Sequence, residues 1–470
     1  MDCVEAGTNK PHELCRHKCH VVAMPYPGRG HVNPMMNLCK LLASKGKDGG
    51  DDILITFVVT EEWLSFIGSD PKPANIQFRS IPDIIPSENG RATNFVGFIE
   101  AVMTKMDGPF EQLLDQLELE TPVSVILADS FLMCAVKVGS QRNIPVASLW
   151  TQSPSVFSVF HHFDLLVQNG HFPADLSVRG RERINYIPGI SSICLEDLPT
   201  VFNGPGREVL DRILEALSWV TKAQCLLLTS FYDLDTQCTD ALSSALPFPV
   251  YPVGPTIPHM TFKDDTSNSS SEDYMKWLDS QSKGSVLYVS LGSFLSVSSA
   301  QMDEIAVGLL DSEVPFLWIA RQDTSRLQAA CGDKGLVIPW CDQLRVLCHS
   351  SIGGFLSHCG LNSTLESVFA GIPMLTFPIF WDQMPNSKLI AEDLRIGWRV
   401  KSEVSTNKLV KSEDIARTVQ SFMDSNGEET KEMRRRVREL QSACHRAIEK
   451  GGSSQSNLDA FVKDILQYAK

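Results

Sequence analysis

The sequence predicts an α/β protein with parallel sheets, built in two halves. Three observations carry this. Short apolar runs alternate with helical patterns along the chain, the grammar of strand–helix–strand units. A stretch of Pro, Ser, Asn and Asp, "VGPTIPHMTFKDDTSNSSSED", interrupts that grammar and marks a linker. At 470 residues the chain is also too long for one ordinary core. The expected divisions are a loose polar tail over 1–18, a first domain over 19–253, a linker over 254–273, a second domain over 274–450 and a closing helical segment over 451–470.

The elements follow in order. "HVVAM" (20–24) is a strand, and "PYPGRGH" a turn-rich loop. "VNPMMNLCKLLASKG" is a helix with Pro34 in its first turn, Met35, Leu38, Cys39 and Leu42 on one face, and Gly46 as its stop. "ILITFVV" (53–59), "VSVILAD" (123–129) and "CLLLTSF" (225–231) are further strands, the second ending on a carboxylate. Beyond the linker, "SVLYVSLGS" (285–293) is a strand leading into a Ser/Gly loop. Met302, Ile305, Ala306, Leu309 and Leu310 form one apolar helix face. "PFLWIA", "GLVIPW", "GGFLS" and "IPMLTF" complete the second set of strands. Two such halves make a cleft, and open α/β sheets bind ligands beyond the carboxyl ends of their strands.

Composition excludes several functions. A net charge of −14 argues against nucleic acid, whose phosphates need a basic face. No apolar run approaches the roughly 18 residues of a membrane span. The start "MDCVEAGTNKPHELCRHK" has no apolar segment of the secretory kind. The 13 scattered cysteines point to free thiols in the cytosol, not to a disulfide framework. Cys15, His17, Cys19 and His20 lack a second ligand pair at finger-like spacing, so no metal site is expected.

The stretch "HCGLNSTLES" (358–367) has two readings. It follows the strand "GGFLS" and opens a helix from about Asn362 to Ala370, stopped by Gly371 and Pro373. The free N–H groups and dipole of that helix start favour an anion, and Gly360 lets the backbone come close to it. Alternatively, Ser363 and Glu366 form a capping box that satisfies the helix end without a ligand. No Walker loop is present.

The surroundings decide between them. "WCDQLRVLCHSSIGGFLSHCGLNSTLESVFAGIPMLTFPIFWDQ", 44 residues from Trp340 to Gln383, resembles the signature box of plant secondary-product UDP-glycosyltransferases. The order W-x-x-Q, H-C-G-x-N-S-T-x-E and P-x-x-x-D-Q is long and specific. "PYPGRGHVNP" is similar to the family's loop bearing the catalytic His, and "ILADSF" to the strand that delivers its acidic partner. The resemblance implies a GT-B fold, two Rossmann-like domains with parallel sheets facing across a cleft. The first domain would bind the acceptor and the second the UDP-sugar. "SSQSNLDAFVKDILQY" would be the helix that returns to the first domain.

The resemblance also implies roles. Trp340 would stack on uracil, with Cys341 beside it and Gln343 on the uridine. His358, Gly360, Asn362 and Ser363 would hold the diphosphate, joined by Ser293. Glu366 would accept from the ribose, and Asp382 and Gln383 would bind the sugar, reached also by Thr151. Gln383 goes with glucose in this family. His31 would be the general base and Asp129 its partner, in an inverting transfer that needs no cofactor and no metal. Three residues depart from the pattern: Leu361 stands for Trp, Asp342 for Pro, and Arg29 for Gln near the expected acceptor mouth.

The acceptor is a small lipophilic molecule with a hydroxyl or carboxyl group on this reading. Phe95, Phe98, Phe131, Phe157 and Phe160 offer apolar surface, while Arg29 and the His161–His162 pair would suit an acidic acceptor. A monomer is expected. Two rivals are weighed. A dehydrogenase needs G-x-G-x-x-G opening a βα turn, which "GRGHVNP" fails. A nucleotide-sugar sensor without turnover would suit a chain lacking His31, Asp129 or the Asp382–Gln383 pair, and all are present.

Overall fold

The computed structural model describes residues 19–49, 53–204, 206–259, 273–292, 297–321, 323–332, 334–400 and 409–468. The tail 1–18, most of the linker and Ser293 lie outside them. Strands β1 (Cys19–Met24), β2 (Ile53–Thr60), β3 (Ile76–Ile81), β4 (Val125–Asp129), β5 (Val146–Trp150), β8 (Cys225–Leu228) and β9 (Val250–Pro252) form one sheet in the order β3-β2-β1-β4-β5-β8-β9. A small hairpin pairs β6 (Arg183–Ile184) with β7 (Ile193–Cys194). The second sheet contains β10 (Val286–Ser290), β11 (Phe316–Ile319), β12 (Gly335–Ile338), β13 (Ile352–Ser357), β14 (Met374–Thr376) and β15 (Gly397–Arg399), ordered β12-β11-β10-β13-β14-β15. All pairings in both large sheets are parallel. Parallel strands are covered on both faces, which is why β1, β4, β5, β10 and β13 are buried along their whole length.

Each sheet reverses its strand order once at a central pair, β1/β4 in the first and β10/β13 in the second. Such a switch point opens a crevice at the carboxyl ends of the strands. The chain then crosses back. Helix Ser453–Tyr468 lays Leu458, Phe461 and Ile465 into the core of the first sheet. Burying Phe461 contributes roughly 1.5–3 kcal/mol. Asn457 Nδ2 donates to Pro252 O at 3.0 Å, and Tyr251 OH donates to Asp464 at 2.7 Å.

Further contacts join the halves around the cleft. Arg399 donates to both oxygens of Asp197, at 2.7 and 3.2 Å. Trp381 N donates to Thr200 Oγ1 at 3.0 Å, and Thr200 N to Trp381 O at 3.2 Å. No helix among the described residues is long and apolar enough to cross a membrane.

Four strands of the large sheets escape the sequence reading: β3, β5, β9 and β15. The last two have only three residues each, too few for a periodic signal. The first long helix also differs. It spans Arg29–Gly49, three residues earlier than expected and past Gly46. A glycine in a helix interior costs about 1 kcal/mol, which packing elsewhere can absorb.

Candidate active site

The early helix start places His31 in the first turn, not in the preceding loop. Gly28 O accepts from His31 N and Val32 N, at 2.9 and 2.8 Å. Pro34 therefore lies inside the helix and leaves Gly30 O without its usual donor four residues on. Asn362 Nδ2, from the opposite domain, donates to that carbonyl at 3.0 Å.

His31 is oriented through Nδ1, which lies 2.7 Å from Asp129 Oδ2 and 2.9 Å from Thr151 Oγ1. The single N–H serves the carboxylate, with the hydroxyl as a second neighbour. Asp129 is 1% exposed and held in turn, its Oδ1 accepting from Phe131 N at 3.0 Å. Nε2 is left as the lone-pair nitrogen. The rings of Tyr26 and Phe131 stand 5.0 and 6.0 Å from the imidazole.

The second wall forms at the β10/β13 switch point. Helix Leu361–Ala370 opens on Gly360, which makes no side-chain cap bond. The capping-box reading fails: Ser363 lies inside the helix, and Glu366 accepts from Gln343 Nε2 at 2.5 Å instead. Gln343 Nε2 also donates to Ser363 Oγ at 3.0 Å, and Tyr288 OH donates to Gln343 Oε1 at 3.1 Å. Burial pushes the Glu366 carboxyl up to about 7, although the bond from Gln343 opposes this.

His358 is pulled down to about 4 by burial, so it is neutral at pH 7, and its buried Nδ1 has no protein partner. Gly292 makes room for it: at φ +88° its added Cβ would meet His358 Nε2 at 2.7 Å. Asp382 is raised to about 6, burial outweighing the bond from Asn386 Nδ2 at 2.8 Å. Gln383 Oε1 accepts from Ile379 N and Phe380 N, at 2.8 and 3.0 Å. This leaves the amide NH₂ of Gln383 for a ligand.

A cavity of about 550 Å³ joins the two walls. His31, Thr151, Trp340, Cys341, Gln343, His358, Gly360, Asn362, Ser363, Glu366, Asp382 and Gln383 all line it. Asp129 stands behind His31. Trp340 is 62% exposed, a large apolar face left open at the cavity.

Several expectations change. Thr151 Oγ1 lies 2.9 Å from His31 Nδ1, a contact the sequence reading did not include. Asp342 caps the helix Gln343–Leu347, its Oδ1 accepting from Arg345 N at 3.1 Å, so its side chain has work of its own. Leu361 is buried. Of the five phenylalanines only Phe95 and Phe131 line the cavity, and the two histidines at 161 and 162 do not. Tyr26, Arg91, Tyr288, Gly292, Arg321 and Trp381 also face it and were missed. Trp381, next to Asp382 in "FWDQ", was the one with a readable signal. Among the described residues no His, Cys, Asp and Glu group has a metal-binding arrangement.

Two parallel-stranded domains meeting at their switch points, with an open helix start facing a His–Asp pair, define a GT-B glycosyltransferase. The family model described as UDP-glucoronosyl and UDP-glucosyl transferase matches residues 111–434, and the chain belongs to that family. UDP-glycosyltransferase 87A2 of Arabidopsis thaliana is 49% identical over 447 residues, covering 95% of this chain and 96% of that protein. The 7-deoxyloganetin glucosyltransferase of Catharanthus roseus is 32% identical, covering 95% and 96%. Among solved structures, Phytolacca americana UGT2 complexed with UDP-2fluoro-glucose and pterostilbene is similar at TM-score 0.80 and 26% identity, covering 95% of this chain and 99% of that one. Os79 from O. sativa in complex with UDP gives TM-score 0.81 and 25% identity, covering 95% and 100%. The protein is an enzyme, a UDP-glycosyltransferase of the plant type.

Proposed function

We propose that the enzyme moves glucose from UDP-glucose to a hydroxyl or carboxyl group of a small lipophilic plant metabolite or hormone, with inversion. The observation that carries this is His31, locked through Nδ1 by Asp129 and lining the cavity. The acceptor oxygen gives its proton to His31 Nε2 and bonds to the anomeric carbon. The bond from that carbon to the phosphate oxygen breaks, and UDP leaves with the electron pair. Asp129 stabilises the imidazolium that forms. The start of helix Leu361–Ala370 faces the charge growing on the leaving phosphate.

Trp340 takes the uracil with Cys341 beside it. Gln343 and Glu366 take the uridine. His358, Gly360, Asn362 and Ser363 hold the diphosphate, with Ser293 assigned there from sequence alone. Asp382 and Gln383 take the sugar. Thr151 steadies the base.

The rings of Tyr26, Phe95, Phe131 and Trp381 around the first wall favour a flat apolar acceptor. The similar Phytolacca protein holds pterostilbene. The domains 19–253 and 274–450 divide acceptor from donor, with 451–470 tying them together. Free, mostly buried thiols fit the cytosol, and we propose a monomer.

The test is competition between UDP-glucose and UDP-galactose across a panel of phenols, alcohols and acids, with and without EDTA. Glucose transfer that survives chelation and exceeds galactose transfer is expected. Gln383→His should shift the ratio towards galactose. Loss of most activity in EDTA, restored by Mg²⁺, would overturn the metal-free mechanism.

A further inference from the structure

Two guanidinium groups face the cavity from opposite walls. Arg29 is the first residue of its helix, and the next carbonyl, Gly30 O, is bonded to Asn362, the second residue of helix Leu361–Ala370. Arg29 thus stands one residue from a direct contact with the proposed diphosphate site. Arg321 comes from the other domain. Strand β10 aligns Ser290 with Ile319 of β11 and with Ser357 of β13. Two residues further on, Arg321, Gly292 and Cys359 leave the sheet edge at one level. Neighbouring strands lie about 4.8 Å apart, so Arg321 emerges one strand from Gly292 and two from the turn into the helix.

Neither arginine makes a direct ion pair with a carboxylate among the described residues. Arg29 lies 5.8 Å over the Trp63 ring. Arg321 is lowered from its ordinary value by burial first and by the charge of Arg29 second, so the two cations repel across the cleft. The charge of Glu88 reaches Arg29, but among the described residues no carboxylate bonds either guanidinium. Two repelling cations that line a cavity without a bonded carboxylate suit an anion from solution.

We propose that Arg29 and Arg321 form a two-sided clamp on the diphosphate of the donor, one guanidinium from each domain. This rests on the donor-site reading above. Guanidinium forks match phosphate oxygens, and a diphosphate replaces their repulsion with attraction to both. Donor binding would then hold the two domains together before the acceptor reacts. The clamp also meets the charge that accumulates on UDP as it leaves. A carboxylate on the sugar is the other anion available to such a pair. The sugar end already carries Asp382, which disfavours a second carboxylate there.

Calorimetry with UDP, UMP and uridine on the wild type, Arg29→Gln and Arg321→Gln tests the clamp, with thermal melts to confirm folding. Each change should weaken UDP about tenfold, the worth of one charge-assisted hydrogen bond, UMP less, and uridine not at all. Equal losses for uridine and UDP, or unchanged UDP affinity, would overturn it. So would a loss confined to UDP-glucuronate with UDP and UDP-glucose unaffected. Wild-type protein that fails to bind UDP would instead sink the donor-site reading itself.

Discussion

The two walls of the cleft are assembled in different ways. Most of the second wall comes from one continuous run, Trp340 to Gln383, wrapped around a single switch point. The first wall gathers Tyr26 and His31 after β1, Arg91 and Phe95 from a long excursion, Phe131 after β4, Thr151 after β5, and Ile213 from a helix beyond, with Asp129 at the end of β4 behind His31. A nucleotide presents one fixed shape, and one strand–turn–helix unit with its neighbours can meet it. A proton transfer to a variable acceptor needs groups brought together from several strand ends. The first wall should therefore control chemistry, and the second affinity.

The largest expected effect separates the two. His31→Ala should cut kcat by roughly 10²–10⁴, the usual worth of a positioned base, while UDP affinity by calorimetry stays at the wild-type value. Asp129→Asn should also lower kcat, and the double variant should cost little more than His31→Ala, because the pair acts as one unit. An acidic acceptor needs less help from a base and should lose less. Near-wild-type turnover of an alcohol by His31→Ala would place the base elsewhere.

The same contrast explains what the sequence made legible. The second wall could be read because its residues are contiguous and their order is distinctive. The His31–Asp129 pair was reached through the resemblance of two short motifs, not through spacing, since 98 residues separate them. Arg91, Tyr288 and Arg321 carry no local signal: each faces the cavity only because a strand or excursion returns there. Pro34 misled, since a proline near a helix start normally sits in the first turn. Its true place, inside the helix, becomes useful only when Asn362 from the far domain takes the carbonyl it frees. Ser363 and Glu366 fitted a capping box until Gln343, 23 residues before Glu366, claimed the carboxylate.

A middle-sized effect tests the second wall by itself. Trp340 is exposed where an isolated indole would gain by being covered. Base–aromatic stacking is worth about 1–3 kcal/mol, so Trp340→Ala should weaken uridine and UDP alike by roughly 5- to 150-fold. At saturating donor kcat should change little, since His31, the proposed base, lies on the other wall. Equal loss for both ligands is the distinguishing result, because the arginine clamp predicts a loss for UDP alone. A fall in kcat with unchanged uridine affinity would place Trp340 in the chemistry and dissolve the division between the walls.

The smallest effect concerns Glu366, which burial holds near pH 7. Below that pH the carboxyl is protonated in the free enzyme and accepts poorly from a ribose. Uridine affinity should therefore fall as pH drops from 8 to 5.5, by at most about tenfold per unit for one linked proton. Uridine is the right probe because it has no phosphate to titrate in this range. Stability should move the other way. A carboxyl raised from about 4.3 in the unfolded chain binds its proton more tightly when folded. That contribution is complete below about pH 4 and is lost as pH rises through 7. Asp382, raised to about 6, adds to the same trend in stability. The two readouts thus separate. Glu366→Gln should flatten the pH dependence of uridine binding while leaving the part of the stability slope that Asp382 supplies. Uridine affinity in Glu366→Gln that still falls with the wild-type slope would show that another group titrates, and that Glu366 serves the fold rather than the ribose.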